Sequence, residues 1–164
     1  IAFPNDNTFL PFTKMLKWRF VNEYRIRQYA RASTPGTQPP GGKVPAGEYR
    51  FALPLDTPFL QWRTELNNMS VLNGEGYCVV WKDYEGTMEI LEIRGSGVPF
   101  ADIMTGKGYA AINIPDSLLP QGEVEGLAYI KDVGIPQRFC AYPSEYARIA
   151  YEDIKPSLLL SDVF

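Results

Sequence analysis

The sequence contains no histidine. Histidine is the usual general base near neutral pH, it belongs to the Ser-His-Asp and Cys-His arrangements, and it is the commonest ligand of catalytic zinc. Reactions that depend on an imidazole are therefore excluded. Phosphate-binding loops are missing too, because Gly-Gly-Lys at residues 41–43 and Gly-Ser-Gly at residues 95–97 lack the spacing of a P-loop or a dinucleotide fingerprint. We interpret both stretches as turns and expect no cofactor.

Cysteine is also scarce, with Cys78 and Cys140 the only two. Two cysteines are too few for a disulfide scaffold, and their separation of 62 residues matches no zinc-binding pattern. Both lie in strand-like stretches, so they are either buried free thiols or the partners of a disulfide within or between chains. We expect no metal site. Because no apolar run approaches the roughly 20 residues that cross a membrane, no transmembrane segment is predicted.

What the chain has is enough apolar residues for one core, and many turn formers. Apolar residues make up 45% of its 164 residues, and 14 glycines with 14 prolines favour many short strands over long helices. The net charge of −3 hides an asymmetry. Residues 1–50 hold eight basic and three acidic residues, whereas the rest holds eight basic and sixteen acidic ones. Surfaces of opposite sign favour association with a partner or with a second copy.

Residues 16–27 alternate almost strictly between apolar and polar side chains, which predicts a long strand. A helix is the competing interpretation, but the β-branched and aromatic content favours the strand. The alternation separates the rings from the charges. It predicts an inner row and an outer basic row, with Trp18, Phe20, Tyr24 and Ile26 in the first and Lys17, Arg19, Arg25 and Arg27 in the second.

The remaining pattern predicts further short strands and one helix. The helix covers residues 57–69, with Pro58 suited to its first position and Trp62 on its apolar face. Tyr84-Glu85-Gly86 is predicted to close a hairpin. The closing region either begins as a second helix capped by Ser144 or forms a last strand at residues 147–154 that Pro156 ends. Strands are predicted at residues 49–55, 76–84, 87–95, 109–114, 124–133 and 137–142.

This element order predicts an all-β fold. We expect an antiparallel two-sheet sandwich or jelly-roll barrel of about eight strands with one short helix, and an immunoglobulin-like sandwich is the nearest alternative. No alternating βαβ pattern is seen in the sequence. The predicted organisation is an extended N-terminal arm at residues 1–15, a single domain at residues 16–155 and an apolar tail at residues 156–164. A long loop rich in proline and glycine fills residues 32–48.

Three functions need no histidine: glycoside hydrolysis, carbohydrate binding and nucleic-acid binding. A glycosidase needs two carboxylates, and the candidate pairs are Glu89 with Glu92, Glu123 with Glu125, and Asp83 with Glu85. Acids in hairpins are usually solvated, so we expect no enzyme activity. A carbohydrate-binding module would use exposed tryptophans, and Trp81 at a hairpin end is the best candidate. Nucleic acid is an improbable primary ligand, because the rings and cations of residues 16–27 lie on opposite faces and the isoelectric point is near 5.0.

An apolar arm, a long loop, opposite charges on two portions of a small β domain, and the apolar tail LLLSDVF remain to be explained. In this combination the chain resembles the small single jelly-roll coat proteins of icosahedral, tailless, membrane-containing bacteriophages. The resemblance covers most of the chain and rests on no signature motif.

The resemblance implies a structural protein of the virion that assembles with copies of itself and with other capsid proteins. The alternative, a carbohydrate-binding module, would place the chain outside the cell. Arms and tails are expected to reach neighbouring copies, and the outer basic row is expected to meet acids of a neighbour. The candidate assembly contacts are Phe3, Phe9, Phe12, Arg25, Arg27, Leu159 and Phe164.

Overall fold

The computed structural model describes Pro4, residues 6–33, four residues between 58 and 65, residues 68–119 and residues 124–141. The predictions for residues 34–57 and 142–164 lie outside this part of the chain. The labelled helices are α1 (Asp6–Leu10) and α2 (Phe100–Gly106), with a π-helical turn at Pro11–Met15 and a 3₁₀ turn at Asp116–Leu118. The strands are β1 (Arg19–Arg31), β2 (Met69–Gly74), β3 (Tyr77–Tyr84), β4 (Thr87–Gly95), β5 (Ala111–Pro115) and β6 (Leu127–Ala141).

The described strands form one sheet in the order β2-β3-β4-β5-β1-β6. The predicted all-β class is confirmed, whereas the second sheet of a sandwich and the jelly-roll topology stay predictions. One pairing differs from the antiparallel expectation, because β4 and β5 run parallel. A parallel pair needs a crossover, and α2 supplies it. The sequence analysis assigned no helix there.

The apolar core lies on the face of the sheet that α2 covers. Phe100, Ile103 and Met104 of α2 are buried, at the i, i+3, i+4 spacing of one helix face. They pack with residues from strands across the sheet and with the 3₁₀ turn. The buried members of this core are Tyr29, Val79, Trp81, Met88, Ile90, Ile93, Phe100, Ile103, Met104, Ile112, Ile114, Leu118, Leu119 and Leu127.

The hairpin between β3 and β4 is confirmed. Tyr84 lies opposite Thr87, and Glu85 and Gly86 form the two-residue turn, both at positive φ as a type I′ turn requires. The N–H of Gly86 donates to the Asp83 carboxylate at 3.2 Å. The two strands predicted at residues 124–133 and 137–142 are one strand, β6, which passes an irregularity in its pairing with β1 at Gly134.

The predicted helix at residues 57–69 is helical at its described members, Pro58, Gln61, Trp62 and Glu65. The amide of Gln61 donates to Glu65 one turn later, at 2.9 Å. Trp62 is 49% exposed, however, so it does not belong to a buried helix face. Met69 begins β2, a strand that the sequence analysis missed because Met69 continued the apolar spacing of the helix.

The N-terminal arm was predicted to be extended, and this is wrong for residues 6–15. α1 ends at Leu10 because Pro11 has no N–H to continue its hydrogen bonding, yet proline is tolerated where the next helical turn begins. The N–H of Leu16 donates to the carbonyl of Pro11 at 3.1 Å, which closes the π-helical turn. Lys17 then adopts positive φ and leads the chain into β1.

Candidate functional site: an arginine–aspartate cluster and an apolar N-terminal surface

Charged side chains gather on the core face of β1 where the ladder with β5 ends. The last pair of that ladder is Ile26 with Pro115, and the N–H of the preceding residue, Arg25, donates to Oδ1 of Asp116 at 3.0 Å. The carboxylate thus takes the place of a further strand residue. Its other oxygen, Oδ2, lies 3.5 Å from Nη2 of Arg27.

Asp132 of β6 completes the arrangement from the other side of β1. It lies opposite Arg27 in the ladder, and its Oδ2 accepts a hydrogen bond of 2.8 Å from Nη1 of Arg25. The hydroxyl of Tyr129 donates to Oδ1 of Asp132 at 3.0 Å. We call Arg25, Arg27, Asp116 and Asp132 the arginine–aspartate cluster. Its two positive and two negative groups balance in charge. Because the arginines lie on β1, Asp132 on β6 and Asp116 in the 3₁₀ turn, the cluster joins these three elements.

The two carboxylates of the cluster sit in different environments. Burial raises the pKa of Asp116, although the Arg25 N–H and the Arg27 guanidinium oppose the shift. The hydrogen bond from Arg25 lowers the pKa of Asp132, and Tyr129 adds to the effect. Burial also raises the pKa of the Tyr24 and Tyr29 hydroxyls. The tyrosines therefore stay protonated at neutral pH and cannot serve there as bases.

The predicted outer basic row is wrong at Arg27, of which 4% is exposed. Arg27 lies opposite Ile114, a member of the core, so its side chain faces the core rather than water, whereas Lys17, Arg19 and Arg25 are exposed as predicted. The even position Tyr24 is buried as predicted, whereas Phe20 is 44% exposed and is not in the core. Alternation separates the two faces of a strand, but where both faces are covered, neither row faces water.

The opposite face of the sheet carries a row of polar side chains. Lys82, Glu89, Asn113 and Gln28 are ladder neighbours across β3, β4, β5 and β1. Nζ of Lys82 lies 3.5 Å from Oε2 of Glu89, and Nε2 of Gln28 donates to Oδ1 of Asn113 at 3.2 Å. Asn113 is buried. These contacts satisfy polar groups along the face.

Two of the candidate acids are paired with cations of their own chain. Glu89 pairs with Lys82, and the fully buried Glu92 lies 3.4 Å from Nε of Arg94. Asp83 and Glu85 are exposed at the hairpin between β3 and β4. Glu125 is exposed, and its proposed partner at position 123 lies outside the described part.

The two cysteines are free thiols, so the disulfide within one chain is contradicted. Cys78 lies on β3 and Cys140 on β6, with three strands between them. At about 4.8 Å per strand spacing they are separated by about 19 Å, far beyond the reach of a disulfide. Burial raises the pKa of both thiols, which favours the unreactive protonated form.

Trp81, the predicted sugar platform, is 9% exposed. Its ring packs edge-on against Tyr109, with 5.5 Å between the ring centroids, and belongs to the core. A buried ring cannot stack on a sugar. The carbohydrate-binding alternative therefore loses its best candidate residue.

The N-terminal residues form an apolar surface that the sequence analysis missed. Two of the candidate assembly contacts pack on their own chain: Phe9 lies edge-on to Phe20 at 5.7 Å, and Phe12 to Trp18 at 5.0 Å. Phe3, Leu159 and Phe164 lie outside the described residues. Other apolar side chains of the N-terminal residues are exposed to water. We call Leu10, Met15, Leu16 and Phe20 the N-terminal surface, and their exposed fractions lie between 44% and 77%.

The described part of the chain holds no metal-binding cluster and no membrane-spanning helix. Histidine, cysteine, aspartate and glutamate nowhere gather there in threes at metal-binding distance. The described helices are all too short or too polar to span a bilayer. Comparison of the chain with protein-family models, with curated proteins and with solved structures found no match.

Proposed function

We propose that this chain is a non-enzymatic structural protein that assembles with copies of itself, as a coat subunit of a virion does. The observation that carries the proposal is the N-terminal surface, where four large apolar side chains within residues 10–20 are exposed. Contiguous apolar patches on soluble proteins typically mark interaction sites. The all-β fold is compatible with the shell subunits that the sequence resembles.

The N-terminal surface is held in place rather than left to adapt. The ring contacts of Phe9 and Phe12 fix the helical turns on β1, and the N–H of Trp18 donates to the carbonyl of Phe12 at 3.0 Å. The Arg138 guanidinium lies 4.7 Å over the ring of Phe9. A preorganised surface loses little conformational entropy on binding, which favours repeated identical contacts.

Arg25 and Arg27 were expected to contact acids of a neighbouring copy. Arg25 and Arg27 pair with aspartates of their own chain, so they stabilise the subunit instead of joining it to a neighbour. The assembly contacts are therefore sought at the exposed apolar residues. Phe20 was predicted to lie in the inner row of its strand, but its ring is partly exposed, so it belongs to the N-terminal surface.

The test measures mass against protein concentration by light scattering coupled to size-exclusion chromatography, followed by negative-stain microscopy. We expect the wild-type chain to form regular assemblies as concentration rises, and Met15→Glu with Leu16→Glu to shift it toward monomer. Val71→Glu on β2 is the matched control, because it also places an acid at an exposed apolar position. A chain that stays monomeric under all conditions would refute self-assembly, and disordered aggregates alone would refute a coat function.

A further inference from the structure

We propose that the N-terminal surface of one copy docks on the tip of the β3–β4 hairpin of a second copy. The inference rests on the proposed self-assembly and identifies the two surfaces that meet. Both surfaces combine exposed apolar side chains with charge, and their charges are opposite.

Three cations lie among the residues of the N-terminal surface. Residues 7–22 contain Lys14, Lys17 and Arg19 and no aspartate or glutamate, and the three side chains are exposed. The lysines adjoin Met15 and Leu16, the central apolar residues of the surface. A partner for this surface must offer an apolar group surrounded by negative charge.

The hairpin tip offers this combination. Tyr84 is 52% exposed, and Asp83 and Glu85 on either side of it are exposed acids. Of the large apolar residues that the described part exposes, Tyr84 alone has an acidic neighbour on both sides. Lys82 also lies at this end, with its ammonium 3.5 Å from Glu89, but residues 82–89 hold three acids and one lysine, so the net charge stays negative.

The tip is rigid as well as complementary. The type I′ turn at Glu85-Gly86 and the hydrogen bond from the Gly86 N–H to Asp83 fix its backbone. The Lys82 ammonium lies 5.8 Å over the Tyr84 ring, which holds the ring at the hairpin end. A tyrosine anchor flanked by charge is a typical centre of a protein interface.

The two surfaces lie at opposite ends of the sheet. Ladder pairs connect Ala30 to Ala111, Ile112 to Met88, and Thr87 to Tyr84, so the hairpin tip shares an end with the last residues of β1. The N-terminal surface adjoins the first residues of β1. A single copy therefore cannot bring its own two surfaces together, and head-to-tail contacts between copies generate rings or open chains.

Charge reversal on each surface, alone and combined, tests the proposal. We expect Lys14→Glu with Lys17→Glu, and separately Glu85→Lys, to weaken self-association by about tenfold, because like charges then oppose each other. Glu85→Lys keeps the hydrogen bond from the Gly86 N–H to Asp83. The three changes combined in one chain should restore most of the association. Lys107→Glu with Glu75→Lys reverses exposed charges elsewhere and serves as the control. Circular dichroism verifies that each variant is folded.

Each outcome decides one of the two proposals. Self-association that neither charge reversal weakens, or that the combined variant fails to restore, would overturn the docking of these surfaces and leave self-assembly standing. A wild-type chain that stays monomeric at every concentration and salt would overturn self-assembly, and the docking with it. Rescue by the combined variant, with the control unchanged, supports both.

Discussion

The guanidinium of Arg27 and the carboxylate of Asp116 lie 3.5 Å apart, with 5% and 13% of their side chains exposed. Asp116 also accepts the hydrogen bond from the Arg25 N–H, so one carboxylate contacts two alternate residues of β1. A buried arginine in the middle of a sheet is tolerated because the negative charges of this carboxylate and of Asp132 offset its positive charge.

Asp116→Ala should lower the free energy of unfolding by about 1–3 kcal/mol, because it removes an acceptor from a buried guanidinium. Asp116→Asn should lower it less, because the amide oxygen still accepts from the Arg25 N–H and the residue no longer ionises in a site where burial raises the pKa of the carboxyl. Urea unfolding at pH 7 measures both. Equal losses in the two variants would show that the hydrogen bond to Arg25 contributes nothing.

Arg27→Glu should destabilise the subunit strongly, by about 3–5 kcal/mol, because it places a third carboxylate beside Asp116 and Asp132 in a buried site. Arg25→Glu should have a much smaller effect, since its side chain is 55% exposed and water can replace its contact with Asp132. Thermal unfolding of the two variants compares them directly. A folded, stable Arg27→Glu variant would return Arg27 to the predicted outer row.

Local pattern identified the hairpin, because its information lies in neighbouring residues. Alternating apolar residues and a glycine after Glu85 predict both strands and the turn, and the bounds of β4 agree with the structure. The buried face of α2 also has a pattern in the sequence, the i, i+3, i+4 spacing of Phe100, Ile103 and Met104, although no helix was predicted there.

The surroundings of Arg27 could not be read from sequence in the same way. Its burial depends on Asp116 and Asp132, which lie far along the chain and meet it only through the pairing of β1 with β5 and β6. The exposure of Met15 and Leu16 likewise depends on which N-terminal residues pack on their own chain, and Phe9 and Phe12 do so. Composition indicated apolar N-terminal contacts, but packing decides which residues make them.

Gly95→Ala should destabilise the sheet far more than Gly86→Ala. Both glycines have positive φ, which costs another residue about 1–2 kcal/mol. A Cβ at Gly86 would meet open space, whereas one at Gly95 would overlap the carbonyl oxygen of Gly76 in the adjoining backbone. Overpacking of this kind adds about 1–3 kcal/mol. Denaturant unfolding of the two variants measures what the contact with Gly76 adds. Equal losses of unfolding free energy would show that the backbone can separate at Gly76 and Gly95 without cost.

Asp116 and Asp132 should give stability opposite dependences on pH. The folded pKa of Asp132 is lowered by the hydrogen bond from Arg25, so its contribution is present above the ordinary value of about 3.9 and is lost as pH falls through the folded value. The folded pKa of Asp116 is raised by burial, so the folded state prefers its protonated form and loses stability as pH rises from about 3.9 through that value. Urea unfolding between pH 3 and pH 7 should therefore show wild type losing its advantage over Asp132→Asn on acidification, while gaining on Asp116→Asn. Parallel curves for the two variants would mean that the environments of the two carboxylates are alike, contrary to the contacts that distinguish them.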